Sequence, residues 1–193
     1  MNIKHNREDV LRKGLKLFCT DGYNSVGVDL ICKETGMTKG AFYNAYKSKE
    51  GFLLACLELY SHENTKRIIG KLSNSANLSA KDRLTLFYKE MIEAQPKNNY
   101  TGCVVNNIMS ELGGSNSLVS EATNLHFNNF LAPITEAVAE AQKNGAITPN
   151  IQANEIAELL HVAFYGILTR IKASNNVDLG VKTMHTLINS LST

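Results

Sequence analysis

The residues with the most chemical content lie between positions 38 and 49. Thr38, Lys39, Gly40, Ala41, Tyr43 and Asn44 gather small side chains and hydrogen-bond donors at the start of a short helical segment, with Lys47 and Lys49 just beyond it. Small residues at a helix N-terminus let a phosphate come close, and the N–H groups there can bind it. Lys39, Tyr43, Lys47 and Lys49 add phosphate donors, and the Asn44 amide suits the edge of an adenine. The second candidate is a thiol. Cys103 stands in Thr101-Gly102-Cys103-Val104-Val105 at the start of a helix, a position that favours thiolate. Cys32 can face the first helix and Cys56 lies in the apolar run Phe52 to Leu57, so both read as core cysteines. No Cys-x-x-Cys pair and no close pair of histidines is present, so no metal site is expected.

These residues need elements to position them, and the periodicity is helical throughout. The spacing predicts an all-α chain of about nine helices. Asn6 caps a first helix that Gly22 should stop. Two short helices follow, Val28 to about Thr35 and Thr38 to about Ala45, with Gly36 between them. Helices this short are unstable alone. Their two-helix, glycine-turn form is that of a helix-turn-helix, whose second helix enters a major groove. From Ser48 the helices lengthen, interrupted by an Asn- and Ser-rich loop over 72–79. Pro133 falls inside the helix expected over 117–144 and predicts a kink.

The 193 residues are 44% apolar and 20% charged, ordinary values for a globular chain. No run is long enough to span a membrane. The N-terminal charges are not followed by an apolar run, so no signal peptide is expected. Four cysteines without such a leader point to the cytoplasm. Net charge is +2, but residues 1–50 hold nine Lys/Arg against six Asp/Glu, which places the basic end on the short helices. No Ser-His-Asp order, phosphate loop, HExxH or carboxylate cluster is present, so no catalytic residue and no cofactor is assigned. Two alternatives stand beside DNA binding. One is a helical interaction protein without DNA binding, against which Lys39, Tyr43 and Lys49 argue. The other is a thiol enzyme pairing Cys103 with His126.

Residues 11–54 resemble the TetR/AcrR family of bacterial repressors without a gap. The match includes Gly22-Tyr23, Gly36-Met37-Thr38-Lys39-Gly40, Phe42-Tyr43, Tyr46 and Ser48-Lys49-Glu50. The resemblance implies a three-helix DNA-binding domain over 1–47 and an effector-binding and dimerisation domain over 48–193. It implies a homodimer on a palindromic double-stranded DNA operator. Thr38, Lys39, Gly40, Ala41, Tyr43, Asn44 and Lys49 become the DNA-binding set, with Tyr43 and Lys49 on phosphates and Ala41 and Asn44 facing bases. Gly27 departs from the Ser or Thr of many members, which removes one phosphate contact.

Gly102-Cys103 with Asn107 and Glu111 resembles a pattern of one branch of the family, which includes electrophile-sensing repressors of the N-ethylmaleimide-reductase type. The resemblance makes Cys103 a sensor candidate for an electrophile or oxidant. A small-molecule pocket is the other sensing route, with Tyr60, Tyr88, Phe127, His161, Phe164 and Tyr165 as its candidate lining. Few charges fall at those positions, so a neutral or weakly polar effector is expected. Leu159 to Thr169 holds no charge and should be buried on all sides, one face in the subunit core and another against a partner subunit.

Overall fold

Local chemistry sets the helix ends. In the computed structural model, which describes residues 6–73 and 77–193, Asn6 Oδ1 accepts from the N–H groups of Glu8 and Asp9 and starts α1 (Arg7–Ser25). Gly22, at φ 76° and ψ 165°, breaks the helical path inside α1, and one further turn follows. The stop expected at this glycine is therefore a break, not the helix end. α2 (Val28–Thr35) closes on Gly36 in the left-handed region, a conformation that costs glycine nothing. Thr38 caps α3 (Lys39–Tyr46), its hydroxyl accepting from Ala41 N–H at 3.2 Å. Ser48 does the same for Gly51 at the start of α4 (Lys49–Leu72).

The remaining elements are α5 (Ala80–Glu93), a short 3-10 turn (Pro96–Asn98), α6 (Val104–Leu112), α7 (Ser117–Lys143), α8 (Ala153–Ser174) and α9 (Val177–Ser190). Nine helices and no strand occur among the described residues, as the periodicity predicts. α7 continues through Pro133 as one helix. Residues 1–5, and 74–76 in the loop expected over 72–79, lie outside the described residues.

The chain divides into two compact units. The first is Met1–Glu63 with Cys103–Phe127, and the second is Asn64–Gly102 with Asn128–Thr193. In the first, an aromatic cluster locks the short helices. Phe42 packs edge-on to Phe52 at 5.4 Å, Tyr46 to Phe52 at 4.8 Å, and Phe18 lies 6.0 Å from Phe52. Such tilted ring pairs stabilise beyond their buried area. In the second, Leu84, Phe87, Phe130, Ile134, Leu160, Phe164 and Ile188 build the core. Its buried cation, Arg83, donates to Leu72 O, Leu78 O and the Glu140 carboxylate, which satisfies a charge that would otherwise be costly to bury.

Candidate nucleic-acid interface and sensor site

Phe42 is the one buried residue of α3. With that side chain fixed inward, helical geometry turns Thr38, Lys39, Gly40, Tyr43 and Asn44 to solvent, and Ala41 is half-buried. Tyr43 is 48% exposed, large for an aromatic ring. The Lys39 ammonium pairs with Asp29 of α2 at 2.6 Å, and that hydrogen bond raises its pKa further. Lys47 folds back to donate to Asn44 O at 3.0 Å. Lys49 is half-buried; its ammonium donates to Tyr23 O at 3.0 Å and sits 3.9 Å from the Tyr23 ring centroid. The Tyr23 carbonyl takes one of the three N–H donors that an ammonium carries. The structure thus brings the 38–44 set onto one outward surface and puts Lys49 beside the end of α1.

Cys103 is the N-cap of α6 and is buried, and the Tyr60 hydroxyl donates to its sulfur at 3.5 Å. At the other end of α6, the Glu111 carboxylate accepts from Tyr23 N–H at 2.9 Å and Asn24 N–H at 2.8 Å. Those groups lie just past the break at Gly22, and a Cβ on Gly22 would stand 3.2 Å from a Glu111 oxygen. Asn116, after α6, donates to Glu50 of α4 at 2.5 Å. A nine-residue helix about 13 Å long therefore links the thiol to the backbone leading into α2. Sequence reasoning found Glu111 as part of a pattern but not as an acceptor. Its partners are backbone N–H groups 88 and 87 positions away, which no local signal marks.

Of the other sensor candidates, Tyr88, His161, Phe164 and Tyr165 come together in the second unit. The Tyr88 ring lies 5.5 Å from Phe164 and 6.3 Å from His161, and His161 lies 4.8 Å from Tyr165. Phe130, 6.2 Å from His161, joins them. Burial pushes the His161 pKa down to about 4 and raises that of Tyr88, so both rings are neutral near pH 7. Tyr60 stands instead with Cys103 in the first unit, and Phe127 is buried on α7. His126, also buried, has Nε2 3.9 Å from Glu58; desolvation lowers its pKa against the pull of that carboxylate. No cluster of three metal-ligating side chains occurs among the described residues.

α8 has a second face. Leu159 and Val162 are 45% and 52% exposed, and they line an open groove of about 730 Å3 with Asn128, Leu131, Glu155 and Glu158. No helix of the described residues is long and apolar enough to cross a membrane.

A short helix with Phe42 as its one buried side chain, following α2 across the Gly36 turn and with Lys39, Tyr43 and Asn44 outward, defines a helix-turn-helix protein of the DNA-binding class. Residues 10–56 match the bacterial regulatory proteins of the tetR family, and residues 80–187 match the tetracyclin repressor-like C-terminal domain. The chain belongs to the TetR family of transcriptional regulators. Regulators of this family bind DNA operators and small-molecule effectors and are not enzymes, which removes the thiol-enzyme alternative. The chain is similar to the HTH-type transcriptional repressor DhaR of Mycobacterium sp. (strain GP1), 25% identical over 88% of this chain and 84% of that protein. The HTH-type transcriptional repressor NemR of Escherichia coli (strain K12) is 22% identical over 89% of this chain and 86% of its own. The reduced form of E. coli NemR superposes with a TM-score of 0.84 at 21% identity, over 97% of each chain. A regulatory protein TetR from Rhodobacter sphaeroides does so at 0.85 and 24%, over 96% of this chain and 98% of its own.

Proposed function

We propose that this chain is a cytoplasmic repressor that binds a palindromic operator as a homodimer and releases it on effector binding or on modification of Cys103. The observation that carries the DNA half is the outward surface of α3. Thr38, Lys39 and Gly40 meet a phosphate at the helix start, Tyr43 and Lys49 bind phosphates, and Ala41 and Asn44 face bases. Residues 1–47 do this work, and 48–193 hold the effector and dimer functions. The exposed Leu159 and Val162 support a partner subunit on α8, because contiguous apolar surface of this kind marks a protein interface. A two-fold dimer sets its recognition helices roughly 34–36 Å apart on successive major grooves.

The thiol route runs through α6. Bulk added at a buried, close-packed sulfur cannot be absorbed in place, so the helix must shift. Glu111 holds the Tyr23 and Asn24 N–H groups, so a shift of α6 reaches the segment entering α2. The crystallised reduced form of E. coli NemR supports treating oxidation state as relevant here. A hundredfold loss of operator affinity requires about 2.8 kcal/mol of difference between the two states.

The test is operator binding by fluorescence anisotropy, with a duplex from beside the protein's own gene, before and after N-ethylmaleimide. The thiolate adds across the alkene, and solvent protonates the resulting carbanion. Wild type should release the duplex and Cys103→Ser should keep it. If both stay bound, thiol sensing is wrong and the signal is a reversible ligand. If neither binds any duplex in the flanking DNA, the helical interaction reading replaces this one.

A further inference from the structure

The Tyr88 ring is fully buried on α5, and its hydroxyl has no hydrogen-bonding partner among the described residues. A buried hydroxyl left without a partner pays its full desolvation penalty with nothing to offset it. Folded proteins therefore satisfy nearly all such groups, and an exception asks for a reason. Phenylalanine would fill the same volume without this cost.

The surroundings say what would satisfy it. Its ring neighbours are Phe87 at 4.9 Å, Phe164 at 5.5 Å and His161 at 6.3 Å. None carries charge near pH 7, His161 being held neutral by burial. The buried cation of this unit, Arg83, is committed to Leu72 O, Leu78 O and Glu140. An anion placed here would find no counter-charge, and an unpaired buried charge is heavily penalised. A phenol hydroxyl donates readily, so the matching group is an acceptor oxygen on a neutral, largely apolar molecule.

We propose that Tyr88 Oη anchors a small neutral ligand through a hydrogen-bond acceptor, a carbonyl oxygen in the simplest case, held against the Phe164 and His161 rings. The proposal rests on the effector reading above and names the chemical class of that effector. Entry requires the rings to part, so binding registers in the tyrosine ring resonances as well as in heat.

The experiment is calorimetry and ring NMR on the full chain, wild type and Tyr88→Phe, with aryl ketones of graded size from acetophenone upward. Each ketone is paired with its hydrocarbon isostere, ethylbenzene in the first case. Wild type should prefer the ketone by about tenfold, the worth of one good hydrogen bond. Tyr88→Phe should lose that preference, keep its affinity for the hydrocarbon, and unfold at the same temperature or higher. A ketone preference that survives in Tyr88→Phe overturns the proposal, as does failure of every ketone to bind wild type. Operator release is read in the same samples. Ketones that bind through Tyr88 without releasing DNA leave the site standing and sink the effector reading. Ketones that release DNA equally from both proteins keep that reading and sink the Tyr88 anchor.

Discussion

In α3 one residue of eight, Phe42, is buried, while in α8 nine of 22 are. Both helices also present an uncovered face, and the two faces differ in kind. That of α3 is Thr38, Lys39, Gly40, Tyr43 and Asn44, a set of donors and small groups. That of α8 includes Leu159 and Val162. A helix with one buried side chain keeps almost its whole circumference for a polar partner, whereas α8, buried along its length, leaves a narrower strip in which Leu159 and Val162 stand beside Glu155 and Glu158. The contrast teaches that exposure by itself says little. What an exposed face can bind follows from which atoms its packing leaves outside.

Removing the buried side chain of α3 gives the largest expected effect. Phe42→Ala should cost about 3–5 kcal/mol, the usual range for a truncated core ring, and should abolish operator binding. Urea unfolding followed by anisotropy on the folded fraction checks both. If stability falls by much less, the Tyr46–Phe52 contact, not Phe42, is the main anchor of α3.

The next effect is on pH dependence. His161 has a folded pKa of about 4 against 6.5 when exposed, so between those values the unfolded chain binds more protons. Its contribution is fully present above about pH 6.5 and is lost as pH falls toward 4, by about 3 kcal/mol in all. His126 shifts in the same direction and adds to the slope. Urea midpoints measured from about pH 7 down to about pH 4.5 should fall, and His161→Phe should flatten the curve.

The α8 strip is tested by Leu159→Glu. The protomer should keep its fold, because this side chain is 45% exposed. Light scattering should report monomers, and operator affinity should drop by at least about tenfold as one half-site contact is lost. A dimer that survives moves the interface off this face. Smallest is Thr38→Ala, which removes the cap hydrogen bond to Ala41 and should cost about 1 kcal/mol. Thr38→Gly should cost less. A large extra loss in operator binding beyond the stability change would mean that the hydroxyl also touches DNA.

Much of the fold was legible because its signals are local. Asn6, Gly36, Thr38 and Ser48 mark helix ends through their own backbone and side-chain chemistry, and they do so in the structure. The 38–44 surface was legible for the same reason. The pocket candidates were only half legible. Tyr88, His161, Phe164 and Tyr165 share one cluster while Tyr60 joins Cys103, and periodicity treats them alike because it registers only that each faces inward. Leu159 to Thr169 shows the converse. A charge-free run does not say which side the fold covers, and the structure leaves Leu159 and Val162 outside.

The sequence by itself determined the all-α class, the helix ends marked by Asn6, Gly36, Thr38 and Ser48, and the residues that a two-helix turn presents outward, since these depend on interactions within a few residues. Tertiary structure alone decided that Glu111 holds the backbone at Tyr23 and Asn24, that Lys49 leans on Tyr23, and that the Tyr88 hydroxyl is buried without a partner. Each of these depends on groups brought together by packing across dozens of residues, and hydrogen bonds and desolvation act through distance in space rather than separation along the chain.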